Sequence, residues 1–131
     1  DAAKGSNVSV AVSTFFDEGD NTEAGTKFVS GFKAWLKADA TKLANNGGND
    51  IVAAVSALGY DAYMTAVEAI KAAGSSDSTA INEKLWNVNY TGVTGNITFD
   101  TIGDAVRNVA YIKSVNTADG AWKFVAIQSV K

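Results

Sequence analysis

Residues Ala57-Leu-Gly-Tyr-Asp-Ala-Tyr-Met-Thr-Ala-Val-Glu-Ala-Ile-Lys-Ala-Ala-Gly74 carry the strongest helical signal in this chain. Alanine is the best helix former, leucine, glutamate and lysine follow closely, and nothing in the run breaks it. The run stops at Gly74, the residue type that most readily takes the left-handed turn behind a last helical carbonyl. Asn49 or Asp50 offers a cap upstream, so the spacing predicts a helix from about Ile51 to Ala73. At 1.5 Å per residue it is on the order of 34 Å long, the width of a domain. Its many alanines let a sheet or another helix come close.

Upstream, Val8 to Phe16 is rich in β-branched residues, fits no helical stripe and reads as a strand. Asp17-Glu-Gly-Asp-Asn-Thr22 is a polar turn, and Asp20 with Glu23 forms a capping box for a helix over about 22–38. Phe28, Phe32, Trp35 and Leu36 then recur at i, i+4, i+7 and i+8, laying one heavy aromatic face against a core. Residues 39–50 lose this period and contain Asn45-Asn-Gly-Gly-Asn-Asp50, a surface loop.

Downstream, Ser75 to Thr79 is a cap-rich linker leading to a short helix over 79–87 that turns Ile81, Leu85 and Trp86 inward. Tyr90 to Asp100 is rich in Gly and Thr and reads as a loop entering a strand at 96–99. Val109 to Val115 and Ala121 to Val130 are strand-like, and Asp119-Gly120 between them signals a hairpin. The order is one strand, three helices and a β-rich tail. A crossover unit needs parallel strands on both sides of its helix, so these helices offer more apolar surface than the chain has sheet to cover. The sequence reads as part of a fold.

Composition removes whole classes of chemistry. The chain has 131 residues, a formal charge of −3, 47% hydrophobic residues, and no Pro, Cys or His. Ser-His-Asp triads, cysteine nucleophiles, zinc clusters and disulfide frameworks are excluded. Scattered Lys and Arg on an acidic chain give no nucleic-acid footprint. Asp61, Glu68 and Lys71 interrupt the longest apolar stretch, so it does not span a membrane. Asp100 and Asp104 with Gly103 miss the calcium-loop spacing, and Asp17, Glu18 and Asp20 read as a solvated acidic turn. No phosphate-cradling glycine loop occurs, so neither metal nor cofactor is expected. Asn7, Asn89 and Asn96 each open a glycosylation-type triplet of the sort that arises by chance. The start at Asp1 suggests a processed chain or a piece of a longer one, and the lack of Cys suits an exported bacterial protein.

The helix text Ala57 to Gly74 with its Tyr60-Asp61-Ala62 resembles one family, the type I periplasmic binding proteins of branched-chain amino acid ABC transporters. Tyr90-Thr-Gly-Val-Thr-Gly-Asn-Ile-Thr-Phe-Asp-Thr-Ile-Gly-Asp104 is similar to that family's Phe-x-Gly-x-Thr-Gly-x-x-x-Phe-Asp-x-x-Gly-Asp. Thr14-Phe-Phe16, Lys27 to Phe32 and Asp119-Gly-Ala-Trp-Lys-Phe-Val125 fall in the family's order around them. The resemblance implies an α/β fold of two Rossmann-like lobes, of which this chain is an incomplete C-terminal portion. Residues 1–96 would hold the second crossover and the last helices of the N-terminal lobe. Residues 97–131 would hold the third crossover and the β-rich tail of the C-terminal lobe.

The same resemblance implies a function: an extracytoplasmic solute-binding component of an ABC importer, not an enzyme. An amino acid or similar small carboxylate or amide would be held between the lobes. Val55, Ser56 and Tyr60 are the candidate ligand-binding residues, although the family often has an aromatic where Val55 stands. Tyr60 and Asp61 are expected to fix the helix to the sheet and the crossover, ahead of any ligand role. Thr14, Phe15, Phe16, Thr98, Phe99 and Asp100 are the candidate hinge. The implied partners are the solute, a membrane permease and the missing N-terminal part of the same protein, with no nucleic acid. The implied location is periplasmic or extracellular, with a lipid anchor on the missing N-terminus. A sensing domain of a receptor or regulator with the same fold is the first rival, and a small flavodoxin-like enzyme is the second.

Overall fold

A computed structural model of the chain describes residues 4–5 and 10–129. Among them the order is β1 (Ala11–Thr14), α1 (Glu23–Lys37), α2 (Ala40–Asn45), α3 (Ala54–Ala73), α4 (Ser78–Leu85), β2 (Tyr90–Gly92), β3 (Gly95–Phe99), β4 (Ala105–Val106), β5 (Val109–Val115) and β6 (Trp122–Ser129). The strands form two sheets, β1-β5-β6 and β2-β3-β4, and every pairing is antiparallel. Thr14 stands opposite Tyr111, so the first strand is stitched to one that follows almost a hundred residues later. No strand pair is parallel among the described residues. β3 runs across the expected 96/97 division between lobes.

The first expected strand is shorter in the structure. Val8 and Ser9 lie outside the described residues, and β1 ends at Thr14. The chain then bends, leaving Phe15 50% exposed and Phe16 1% exposed. The capping box at Asp20 does not form. Thr22 caps α1, accepting the Gly25 N–H at 3.1 Å. Asp20 instead accepts the Thr22 N–H at 2.8 Å and the Tyr111 hydroxyl at 2.9 Å. Both residues suit a cap, and a partner distant in sequence decides between them.

Residues 39–50 are not all loop. Asp39 accepts the Thr41 N–H at 2.8 Å and starts α2, one and a half turns that close against α1. α3 begins at Ala54, not Ile51, and its cap position Ala53 contributes no side-chain bond. Asn49 accepts the Ile51 N–H at 3.0 Å and so closes its own turn ahead of the helix. At its far end Gly74 is left-handed, φ 59°, and donates its N–H to the Ile70 carbonyl at 3.0 Å. Asp77 caps α4 by accepting the Ala80 N–H at 2.9 Å, while Trp86 stays half exposed instead of turning inward. Tyr90 to Gly92, expected as loop, is a strand paired with β3, and β4 is a further strand that residue types did not signal.

The core sits where α1, the start of α3 and β5 meet. Phe16, Val52, Ala57 and Tyr111 form its buried centre, with Phe28, Phe32, Val93 and Phe124 packed around them. The Phe16 ring stands edge-on to Phe28 at 5.7 Å and tilted on Tyr111 at 5.6 Å. Such pairs contribute about 0.5–1.5 kcal/mol beyond their buried area.

Candidate functional site

Asp61, in the middle of α3, is fully buried. Buried carboxylates require hydrogen-bond donors, and the β2–β3 turn supplies them. Asp61 Oδ1 accepts the Val93 N–H at 2.8 Å; Oδ2 accepts the Thr94 N–H at 2.7 Å and the Thr94 hydroxyl at 2.6 Å. One turn along, Thr65 donates its hydroxyl to the Asp61 carbonyl at 2.7 Å, an arrangement that also keeps its own polar atom satisfied. The turn can approach so closely because position 92 is glycine: a Cβ there would overlap the Asp61 carboxyl. The aspartate of the helix signature is therefore an anchor for the hairpin. Thr94 Oγ1 in turn accepts Arg107 Nη1 at 2.5 Å. The turn lies in the Tyr90–Asp104 motif but read as loop with no role assigned to it, and Arg107 did not stand out in the sequence.

A groove of about 550 Å³ runs between α1, α3 and β2, open to solvent. Phe28, Phe32 and Trp35 line one wall, and Tyr60, Tyr90 and the 91–93 backbone line the other. The aromatic stripe of α1 thus divides. Leu36 is buried, Phe28 and Phe32 are half-buried, and Trp35 is 51% exposed with the Lys42 ammonium 4.7 Å above its ring. Tyr60 packs on Phe28 with ring centres 5.2 Å apart.

The candidate ligand residues fall on two sides of α3. Ser56 and Tyr60 are four residues apart on one face of α3, where Tyr60 meets Phe28 of α1, whereas Val55 lies about 100° round the helix and is 72% exposed. Tyr60 lines the groove; Val55 and Ser56 do not. Just ahead of the helix, Glu18 Oε2 accepts the Val52 N–H at 3.2 Å and pairs with Lys33 at 3.1 Å, so the protein's own carboxylate approaches this end. Of the candidate hinge residues, Thr14 closes β1, Thr98 and Phe99 lie in β3 opposite Val106 and Ala105, and Asp100 caps the following turn. Asp100 Oδ1 accepts the Ile102 and Asp104 N–H groups, both at 2.9 Å.

Buried polar pairs tie β5 to the segment after β1. Tyr111 donates to Asp20, and Lys113 pairs with Asp17 at 2.5 Å. Burial, reinforced by Asp20, holds the Tyr111 phenol well above the usual tyrosine range. Burial and the Asp61 charge raise Tyr90 as well. These groups are held protonated, and none is poised for proton transfer near neutrality.

Residues 7–117 match the family described as the receptor family ligand binding region. The chain belongs to that family, whose fold is that of type I periplasmic binding proteins. The leucine-binding protein of Thermotoga maritima is 29% identical, with a TM-score of 0.65, over 92% of this chain and 31% of that one. An ABC transporter substrate-binding protein of Desulfitobacterium hafniense, in complex with Leu, is 24% identical with a TM-score of 0.63, over 88% and 30% of the two chains. The ABC transporter substrate-binding protein of Sphaerobacter thermophilus, 22% identical, gives 0.66 over 98% and 32%. No curated protein matches. The chain thus spans about a third of the length of these structures, and they are binding proteins.

Proposed function

We propose that this chain is the C-terminal portion of an extracytoplasmic solute-binding protein that delivers an amino acid to the permease of an ABC importer. The observation that carries this reading is the 29% identity to a leucine-binding protein across 92% of the chain. Binding is by lobe closure, with no catalytic step. Residues 1–96 complete the N-terminal lobe and 97–131 enter the C-terminal one, with Thr14, Phe15, Phe16, Thr98, Phe99 and Asp100 at the pivots. Val55, outward at the first turn of α3, faces the incoming lobe across the cleft, with Ser56 and Tyr60 on the adjoining face of the same helix. A secreted protein, with a lipid anchor on its missing N-terminus, meets the permease at the membrane surface.

The test is a thermal-shift titration of the full-length protein with L-leucine and other aliphatic amino acids and amides. At a ligand concentration of 100 times Kd the expected stabilisation is about 2.7 kcal/mol. Val55→Asp is expected to abolish the shift, since it puts a carboxylate against the ligand's own while sitting at an exposed position that the fold tolerates. Absence of any shift across the panel would overturn the reading. The family's description as a receptor region supports a second reading, a sensing domain. A kinase or DNA-binding domain downstream in the full-length protein would select it; neighbouring permease and ATPase genes would select transport.

A further inference from the structure

We propose that Arg107 is a positioning residue that locks the first candidate hinge segment, at Phe15, to the Val93-Thr94 turn that opens β3, the strand carrying Thr98 and Phe99 of the second; the proposal rests on the hinge assignment above. The chain of contacts is continuous. The Arg107 guanidinium lies 5.3 Å from the centre of the Phe15 ring, at the bend where the chain leaves β1. Its Nη1 donates to Thr94 Oγ1 at 2.5 Å and reaches the Thr94 carbonyl at 3.4 Å. Thr94 Oγ1 donates to Asp61 at 2.6 Å. A hydroxyl carries one donor and two acceptor positions, so Thr94 gives its proton to the carboxylate and still receives the guanidinium.

Each link has a reason to be where it is. Phe15 is 50% exposed, so burial alone does not fix its ring, and a planar cation on its face does. Arginine suits this place better than lysine because one planar group both stacks and donates along its edge. Among the described residues Arg107 makes no ion pair, which leaves its charge to act on the ring and, through the hydroxyl, on Asp61. The segment after β1 and the segment between β4 and β5 are thereby fastened to the same buried carboxylate of α3. Movement of the segment after β1 without the Val93-Thr94 turn breaks the Arg107–Phe15 contact, so the two move together.

The experiment is hydrogen–deuterium exchange of the full-length protein, read in the peptides covering 10–17 and 90–97. Thr94→Val touches no atom of Phe15, yet it is expected to raise exchange in 10–17 by about 2- to 5-fold, the size of a partly exposed cation–π contact. In an Arg107→Gln background the same substitution is expected to add nothing there. Phe15→Leu, at a half-exposed position that leaves the buried turn packed, should loosen 90–97 by a similar factor. Independent effects of Thr94→Val and Arg107→Gln on 10–17, or unchanged protection of 90–97 in Phe15→Leu, would overturn the proposal. The L-leucine titration separates this from the functional reading. Linked exchange without leucine binding keeps the coupling and removes the transport role, whereas leucine binding with unlinked exchange does the reverse.

Discussion

At the scale of single residues, Asp61 shows how one carboxylate can hold together elements far apart in sequence. Three donors from Val93 and Thr94 converge on it, and hydrogen bonds to charged groups contribute about 1.5–3 kcal/mol each before their costs are counted. Asp61→Asn keeps the volume but turns an NH2 toward backbone N–H groups. We expect it to lower unfolding free energy by about 2–4 kcal/mol in urea titration. Gly92→Ala attacks the same contact from the other side, because its methyl would overlap the carboxyl. The expected loss is about 1–3 kcal/mol, against the small gain that Gly→Ala usually gives in an open position. Tyr111 carries the larger part of the alkaline pH dependence, Tyr90 being raised as well. Its folded pKa is raised, chiefly by burial and then by Asp20, so the folded state keeps a proton that the unfolded chain releases near pH 10. Stability is therefore complete below about pH 10 and falls as pH rises beyond it. Alkaline unfolding followed by circular dichroism should show this decline, and Tyr111→Phe should flatten it while lowering stability at neutral pH.

At the scale of elements, the segments dictated by sequence neighbours are legible in residue types. The α3 text, its stop at Gly74, the α1 stripe and the closing hairpin are dictated by neighbours in sequence, and residue types suffice for them. α2 escaped because six residues are too few to establish a period. β2 escaped because Tyr90-Thr-Gly92 is a poor strand by propensity and exists through its pairing with β3. α1 starts where its text places it, but its cap is Thr22 and not Asp20, for a physical reason. Asp20 and Thr22 are both good caps, but Asp20 is engaged by Tyr111, whose position only the folded chain reveals. The same holds for the candidate site: Tyr60-Asp61 and the motif containing Thr94 stood out in the sequence, but the bond between them did not, and neither did Arg107, which completes the arrangement. Two substitutions separate the roles at the α1 start. Thr22→Ala loses one cap bond and is expected to cost about 1 kcal/mol. Asp20→Ala leaves the buried Tyr111 hydroxyl with only the 3.4 Å contact to the Val93 carbonyl and should cost more, about 2–3 kcal/mol, in paired thermal melts.

At the scale of the whole molecule, α3 carries apolar surface on two opposite sides. Ala57, Asp61, Thr65 and Ala69 form its buried row, yet Tyr63 is 69% and Ile70 45% exposed seven residues apart on the far side. A helix that shows large apolar side chains opposite its buried row has a second face that another element can cover. Together with helices that lack parallel strands, and a length near a third of related structures, this leads us to expect that the rest of the full-length protein covers the Tyr63–Ile70 face. A charge at position 63 tests it. On a free surface, Tyr63→Glu would change stability by no more than about 0.5 kcal/mol. Under a covering sheet it would bury an unpaired carboxylate and cost well above 2 kcal/mol. We expect the large value in urea unfolding of the full-length protein, with the slope of the transition unchanged. A small value would mean that α3 lies at a true surface, and the expectation that this chain completes a larger lobe would fail with it.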